Sequence, residues 1–199
     1  GIAAKVKDLY VFQRTPNFVV PARNRPLDDS EAAAVKARYG AFRAEAKKTP
    51  NGHHPGPYGF GTSAAAQASS EEQLREYGRR WEHGGLSFLT GFTDLTTDPE
   101  ANASAADFVR GKIRAAVKDE GVADLLCPQY CIGGKRLCVS DEYYGVFNKP
   151  HVHLVDASAG IEAITPHGVR VGNREYGVDC IVFATGYDAF TGALLRIDI

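Results

Sequence analysis

Apolar positions along the chain follow two different periods, that of a strand near both ends and that of a helix between them. Leu9-Tyr10-Val11-Phe12 is a short apolar run that reaches a basic residue at Arg14 and is stopped by Pro16. Three helix starts follow. Asp28-Asp29-Ser30-Glu31 opens a helix whose apolar positions Val35, Tyr39, Phe42 and Ala46 recur at helical spacing as far as Thr49-Pro50. Ser69-Ser70-Glu71-Glu72 opens a second, with Leu74, Tyr77 and Trp81 on one stripe and Gly84-Gly85 as its stop. Asp98 caps a third with Pro99 at its first position, predicting Phe108, Val109 and Ile113 as buried. The strand period then returns at His151-Val152-His153-Leu154-Val155 and at Gly168-Val169-Arg170-Val171. A turn at Gly172-Asn173-Arg174-Glu175 leads to Val178-Asp179-Cys180-Ile181-Val182-Phe183-Ala184, predicted as a last buried strand that turns sharply at Thr185-Gly186.

Strands at both ends around a helical middle predict an α/β fold, and composition narrows the function classes without naming one. Hydrophobic residues at 44%, charged residues at 24% and a formal net charge of −1 describe an ordinary surface, with no drive toward nucleic acid or an anionic membrane. No apolar run approaches the ~18 residues of a membrane-spanning helix, and a cytoplasmic location is expected. Cys127 and Cys131 are spaced like half a zinc site, but no second pair stands at the matching distance, so no metal is expected. Reduced thiols packed as small hydrophobes are the expectation for Cys127, Cys131, Cys138 and Cys180. His151 and His153 share a strand face without a third ligand near in sequence, and His53-His54 fall in a loop. Gly59-Phe60-Gly61-Thr62-Ser63-Ala64 has the glycine spacing of a dinucleotide loop but lacks the preceding strand, and is expected to be a flexible loop.

Three motifs, in this order, carry a resemblance. They are Leu9-Tyr10-Val11-Phe12-Gln13-Arg14-Thr15-Pro16-Asn17-Phe18, then Tyr130-Cys131-Ile132-Gly133-Gly134-Lys135-Arg136-Leu137, then the Ala184-Thr185-Gly186 turn continued by Tyr187-Asp188-Ala189-Phe190-Thr191-Gly192-Ala193-Leu194. Together they resemble the Baeyer–Villiger monooxygenases, the class B flavoprotein monooxygenases of the phenylacetone and cyclohexanone monooxygenase type. The likeness extends through Phe108-Val109-Arg110-Gly111-Lys112-Ile113-Arg114 and Tyr143-Tyr144-Gly145-Val146-Phe147-Asn148. One departure is Cys131, where the family often has proline.

The resemblance implies a partial two-dinucleotide-binding-domain, Rossmann-like flavoprotein fold with a helical insertion. Residues 1–22 and 127–184 would form an incomplete NADPH-binding domain, residues 23–126 the insertion, and residues 185–199 the return toward the FAD-binding domain. In a Rossmann unit the second strand ends at the adenosine ribose, where an acidic residue would bind a free 2′-hydroxyl and an arginine accommodates a 2′-phosphate. Arg14 then selects NADPH, with Thr15 as an added hydroxyl donor. By motif position Lys135 resembles a second contact to that phosphate, and Arg136 the catalytic arginine. The two point to opposite sides of an extended segment and so serve different groups. Thr185, Gly186 and Asp188 are expected either near the flavin or as a purely structural turn. The activity implied is insertion of one oxygen atom of O2 beside a ketone carbonyl, giving an ester or lactone, with FAD and NADPH as cofactors. The alternatives are an N-hydroxylating flavoprotein monooxygenase and a non-catalytic fragment that binds nucleotide weakly. The family's glycine-rich phosphate loops and its histidine- and tryptophan-bearing fingerprint have no counterpart in these residues. The expectation is therefore an internal piece of a longer enzyme, inactive by itself.

Overall fold

The computed structural model describes residues 1–49, 52, 56, 58–186, 192 and 195–197. They form two compact units, Gly1–Asp156 and Ala157–Ile199. In the first, strand β1 (Leu9–Gln13) lies parallel to β4 (Val152–Asp156), in register from Leu9 opposite Val152 to Gln13 opposite Asp156. Strand β2 (Val19–Val20) lies parallel to β3 (Cys138–Val139). Parallel partners need a long crossover between them, and residues 29–126 supply it as helices α1 (Asp29–Ala37), α2 (Tyr39–Ala46), α3 (Ser70–His83), α4 (Pro99–Ala116) and α5 (Glu120–Leu126).

The predicted starts of α3 and α4 are where local chemistry puts them. Ser69 Oγ accepts from the Glu72 amide at 3.3 Å while the Glu72 carboxylate accepts from the Ser69 amide at 2.8 Å, a reciprocal cap. Asp98 accepts from the amides of Glu100 and Ala101. At the end of α3, Gly84 adopts φ +80°, and a Cβ there would stand 2.8 Å from the Pro21 carbonyl oxygen, so both conformation and space require glycine. Tyr77 is buried among Phe88, Phe92 and Phe108, with ring centroids 5.6–5.8 Å away. Val109 and Ile113 of α4 are fully buried, as predicted. Arg80, 1% exposed, spreads its guanidinium over Glu76, the Ser87 carbonyl, the Thr90 hydroxyl and the Gly59 carbonyl. Gly61 packs so closely that a Cβ would stand 2.0 Å from the Gly91 carbonyl oxygen. The Gly59–Gly61 stretch is an irregular segment, with the Gly59 carbonyl bonded to Arg80 and the Gly61 amide to the Thr90 carbonyl.

Two expectations fail. The stripe of Val35, Tyr39, Phe42 and Ala46 does not lie on one helix: Arg38 (φ −106°, ψ 13°) separates α1 from α2, and no residue of either is buried. Gly40 lowers helix propensity just past the break, and helical spacing alone gives an apolar stripe nothing to pack against. In the second unit β5 (Ala163–Thr165), β6 (Gly168–Val171) and β7 (Arg174–Gly177) form an antiparallel meander. The stretch 178–184 is not the predicted strand. No described strand offers it a ladder, so an apolar sequence with strand propensity stays irregular, and Val182 and Phe183 are 72% and 71% exposed.

Candidate functional site

Strand β1 delivers Arg14 and Thr15 to its carboxyl end, where both are exposed in the bend that follows. The carboxyl ends of strands in open parallel sheets are where such folds bind ligands. Pro16 has no amide to extend the ladder, and Asn17 turns the chain toward β2. The Asn17 side chain is engaged at both ends. Its Oδ1 accepts from the Phe18 amide at 2.9 Å and from the Tyr130 hydroxyl at 2.5 Å, and its Nδ2 donates to the Arg136 carbonyl at 3.1 Å and to Cys138 Sγ at 3.2 Å. The Tyr130 hydroxyl also lies 3.1 Å from the Pro16 carbonyl oxygen. Burial pushes the Tyr130 phenol up, which keeps it a donor. The Lys135 ammonium stands 4.9 Å from the centroid of the Tyr130 ring, within cation–π range. The two basic segments, more than a hundred residues apart in sequence, therefore meet at the end of β1.

The loop that carries Lys135 and Arg136 is held from below by α4. Asn102, 7% exposed, accepts from the Ile132 amide at 3.0 Å and donates to the carbonyls of Ile132 at 2.9 Å and Leu95 at 2.7 Å. Gly133 follows at φ +88°, with Leu89 Cδ1 3.1 Å from where a Cβ would stand. The approach to the loop is fixed by Arg110, which donates to the Pro128 carbonyl at 2.8 Å and stands 5.8 Å from the centroid of the Phe18 ring. Lys135 and Arg136 emerge exposed beyond the glycine pair. Among the described residues, neither Arg14, Lys135 nor Arg136 has a carboxylate partner. Cations without a carboxylate partner are chemically suited to an anion, and a planar guanidinium matches phosphate oxygens two at a time.

The structure thus ties the segment that follows Arg14 and Thr15 to the loop of Lys135 and Arg136 through Asn17 and Tyr130. Thr185 and Gly186 belong to the second unit, both exposed. Gly186 adopts φ +83° with open space where a Cβ would be, so conformation rather than room calls for glycine there. Asp188 lies outside the described residues, as do Tyr187, Thr191, Ala193, Leu194, His53 and His54. Asn17, Tyr130 and Asn102 were not anticipated from sequence; only their nearness to the basic motifs or to a helix start hinted at them.

Of the thiols, Cys127 alone is buried, and burial pushes its pKa up. Cys131, Cys138 and Cys180 are exposed, against the expectation that all four pack as hydrophobes. Among the described residues no group of His, Cys, Asp and Glu is placed to hold a metal ion. His151 Nε2 lies 2.8 Å from the Ala3 carbonyl oxygen, and His153 stacks on Tyr10 at 4.9 Å. No described helix is long and apolar enough to cross a membrane.

No protein-family model matches the chain. It is 38% identical over 200 residues to 2-oxo-Δ3-4,5,5-trimethylcyclopentenylacetyl-CoA monooxygenase of Pseudomonas putida, covering 99% of this chain and 36% of that protein. It is 39% identical over 199 residues to a Baeyer–Villiger monooxygenase of Pseudooceanicola batsensis, covering 97% and 35%. It is 34% identical over 199 residues to phenazine N-monooxygenase PhzNO1 of Lysobacter antibioticus, covering 97% and 36%. Among solved structures, oxidised steroid monooxygenase bound to NADP superposes with a TM-score of 0.90 at 39% identity, covering 97% of this chain and 37% of that one. OTEMO in complex with FAD and NADP superposes with a TM-score of 0.92 at 36% identity, covering 98% and 36%. The fold is accordingly the α/β, Rossmann-type fold of flavoprotein monooxygenases. The chain spans about a third of the length of the curated relatives it matches. Over nearly all of its own length, this chain is homologous to the Baeyer–Villiger monooxygenases.

Proposed function

We propose that this chain is the part of an NADPH- and FAD-dependent Baeyer–Villiger monooxygenase that reads the 2′-phosphate of NADPH and supplies an arginine to the reacting centre. The observation that carries the reading is the junction at the end of β1, where Asn17 and Tyr130 tie the segment of Arg14 and Thr15 to that of Lys135 and Arg136. The donor set fits a phosphate. A free ribose hydroxyl would call for a carboxylate at the strand end, and the residues there are two cations and a hydroxyl. Arg14, Thr15 and Lys135 would hold the 2′-phosphate. Thr185, Gly186 and Asp188 would stand toward FAD, where the positive φ of Gly186 allows a close backbone approach. The two cofactors supply the hydride and oxygen chemistry, and the chain's residues bind, orient and place charge. Arg136 has its backbone carbonyl held by Asn17 while its guanidinium has no carboxylate partner among the described residues. It is a permanent cation for the negative charge that develops when one atom of O2 is inserted beside a ketone carbonyl. In this reading residues 1–22 and 127–184 build the NADPH domain, 23–126 the helical insertion, and 185–199 the return to the FAD domain.

The test is kinetic. In the intact protein Arg14→Ala and Lys135→Ala are expected to raise KM for NADPH roughly 10- to 100-fold, the range for losing a charge-assisted contact, with little change for NADH. Arg136→Ala is expected to abolish ester formation from a ketone. Equal losses with both nucleotides would sink the phosphate reading, and ester formed at the wild-type rate by Arg136→Ala would sink the catalytic one. A second reading, oxygenation at nitrogen, is favoured by the likeness to phenazine N-monooxygenase. It uses the same nucleotide site and predicts an N-oxide from a heteroaromatic substrate with no ester from ketones.

A further inference from the structure

Tyr130 has two separable handles on the nucleotide site. Its ring faces the Lys135 ammonium at 4.9 Å, and its hydroxyl lies 3.1 Å from the Pro16 carbonyl oxygen and 2.5 Å from Asn17 Oδ1. The ring is itself steadied by an edge contact to Phe18, with centroids 5.6 Å apart at 76°. Phe18 is 1% exposed and starts the segment that enters β2. A lysine side chain has four rotatable bonds, and here its loop leaves a glycine pair, so without a fixed surface the ammonium would sample a wide volume. Fixing it beforehand removes part of the entropy that phosphate binding would otherwise cost.

We infer that Tyr130 is the positioning residue that sets nucleotide specificity: its ring holds the Lys135 ammonium where a 2′-phosphate arrives, and its hydroxyl fastens that loop to the segment bearing Arg14 and Thr15. The inference rests on the 2′-phosphate reading above. It adds that the preference for a 2′-phosphorylated nucleotide depends on an aromatic residue that itself carries no charge.

The test measures binding directly, by calorimetric titration of the intact protein with 2′,5′-ADP and 5′-AMP, two probes that differ only in the 2′-phosphate. Wild type is expected to prefer 2′,5′-ADP. Tyr130→Leu is expected to shrink that preference about 5-fold, the scale of a partly exposed cation–π contact, while 5′-AMP binds as before. Tyr130→Phe keeps the ring and retains most of the preference. In a Lys135→Ala background Tyr130→Leu adds no further loss, because its effect runs through that ammonium. A wild type indifferent to the 2′-phosphate overturns the reading of the site and this inference with it. A selective wild type whose preference survives Tyr130→Leu overturns the inference alone. Equal weakening of both probes by Tyr130→Leu, or full additivity with Lys135→Ala, also overturns it, since a structural role behaves that way. Thermal unfolding of each variant identifies a global folding defect, and if Tyr130→Leu proves unstable, Tyr130→Met, which also removes the aromatic face while filling much of its volume, decides the ring's role: a shrunken preference is expected and an unchanged one overturns the inference.

Discussion

Asn102 uses both ends of its amide to hold the backbone of Ile132 and so fixes the start of the Gly133-Gly134-Lys135-Arg136 loop from inside the core. Replacing it with alanine would leave a buried amide and two buried carbonyls without partners. Asn102→Ala is therefore expected to destabilise the fold by about 2–4 kcal/mol, at about 1–3 kcal/mol per stranded group with partial relief by water. Urea unfolding checks this, and a loss under 1 kcal/mol would mean that the loop finds its own support. The same residue shows the limit of reading a site from sequence. Arg14, Lys135 and Arg136 could be put forward from sequence because each stands in a motif whose charge and neighbouring glycines or proline suggest a role. The residues that join them were not, because Asn17 meets Arg136, and Tyr130 meets Pro16, across more than a hundred positions. An asparagine or tyrosine has too many ordinary uses for its type alone to announce such a bond.

Helix α3 is held to its surroundings by a buried charge. Arg80 is 1% exposed and donates from all three guanidinium nitrogens, one of them to Glu76 at 2.6 Å, and Arg79 reaches the same carboxylate at 2.5 Å. Burial pushes the Glu76 carboxyl up, but the hydrogen bonds from Arg79 and Arg80 outweigh it and hold the pKa below its ordinary 4.5. The sign follows: the ionised carboxylate contributes stability that is present above pH 4.5 and lost as pH falls through the lowered folded-state pKa. Wild type is thus expected to lose stability on acidification below pH 4.5 more steeply than Glu76→Gln. Arg80→Leu, which strands the Gly59 carbonyl and takes one of its two cations from the Glu76 carboxylate, should cost about 3 kcal/mol at neutral pH, the Ser87 carbonyl keeping its bond from the Thr90 hydroxyl. Denaturant midpoints across pH 3–7 would show both, and parallel pH curves for wild type and Glu76→Gln would contradict the first. At this scale the sequence was most readable where control is local. The caps of α3 and α4 lie within three residues of the starts they control. It misled where an element needs a partner. Residues 178–184 have strand composition but no described strand beside them, and the α1–α2 stripe has helical spacing but no buried face.

Across the molecule, the parallel pairs β1–β4 and β2–β3 bring the two ends of Gly1–Asp156 together, and the nucleotide site proposed for that unit stands where they meet. Such a site has a measurable consequence, because a ligand that binds only the folded state stabilises it by RT ln(1 + [L]/Kd), about 2.7 kcal/mol when the ligand is at 100 times its Kd. At that saturation 2′,5′-ADP is expected to raise the unfolding temperature. The gain should be smaller with 5′-AMP at equal concentration, and in an Arg14→Ala, Lys135→Ala double variant 2′,5′-ADP should give no larger a gain than 5′-AMP. Hydrogen exchange should localise the effect. Slowed exchange is expected in residues 14–20 and 130–139, which carry the cations and the bonds through Asn17 and Tyr130, and not in the β5–β6–β7 meander of the second unit. The meander acts as an internal reference, because its amides are paired in its own ladder and report any general tightening of the protein. Protection spread evenly over both units would mean that the nucleotide acts on global stability without engaging the end of β1. Protection confined to the two basic segments would locate the 2′-phosphate where this fold joins them.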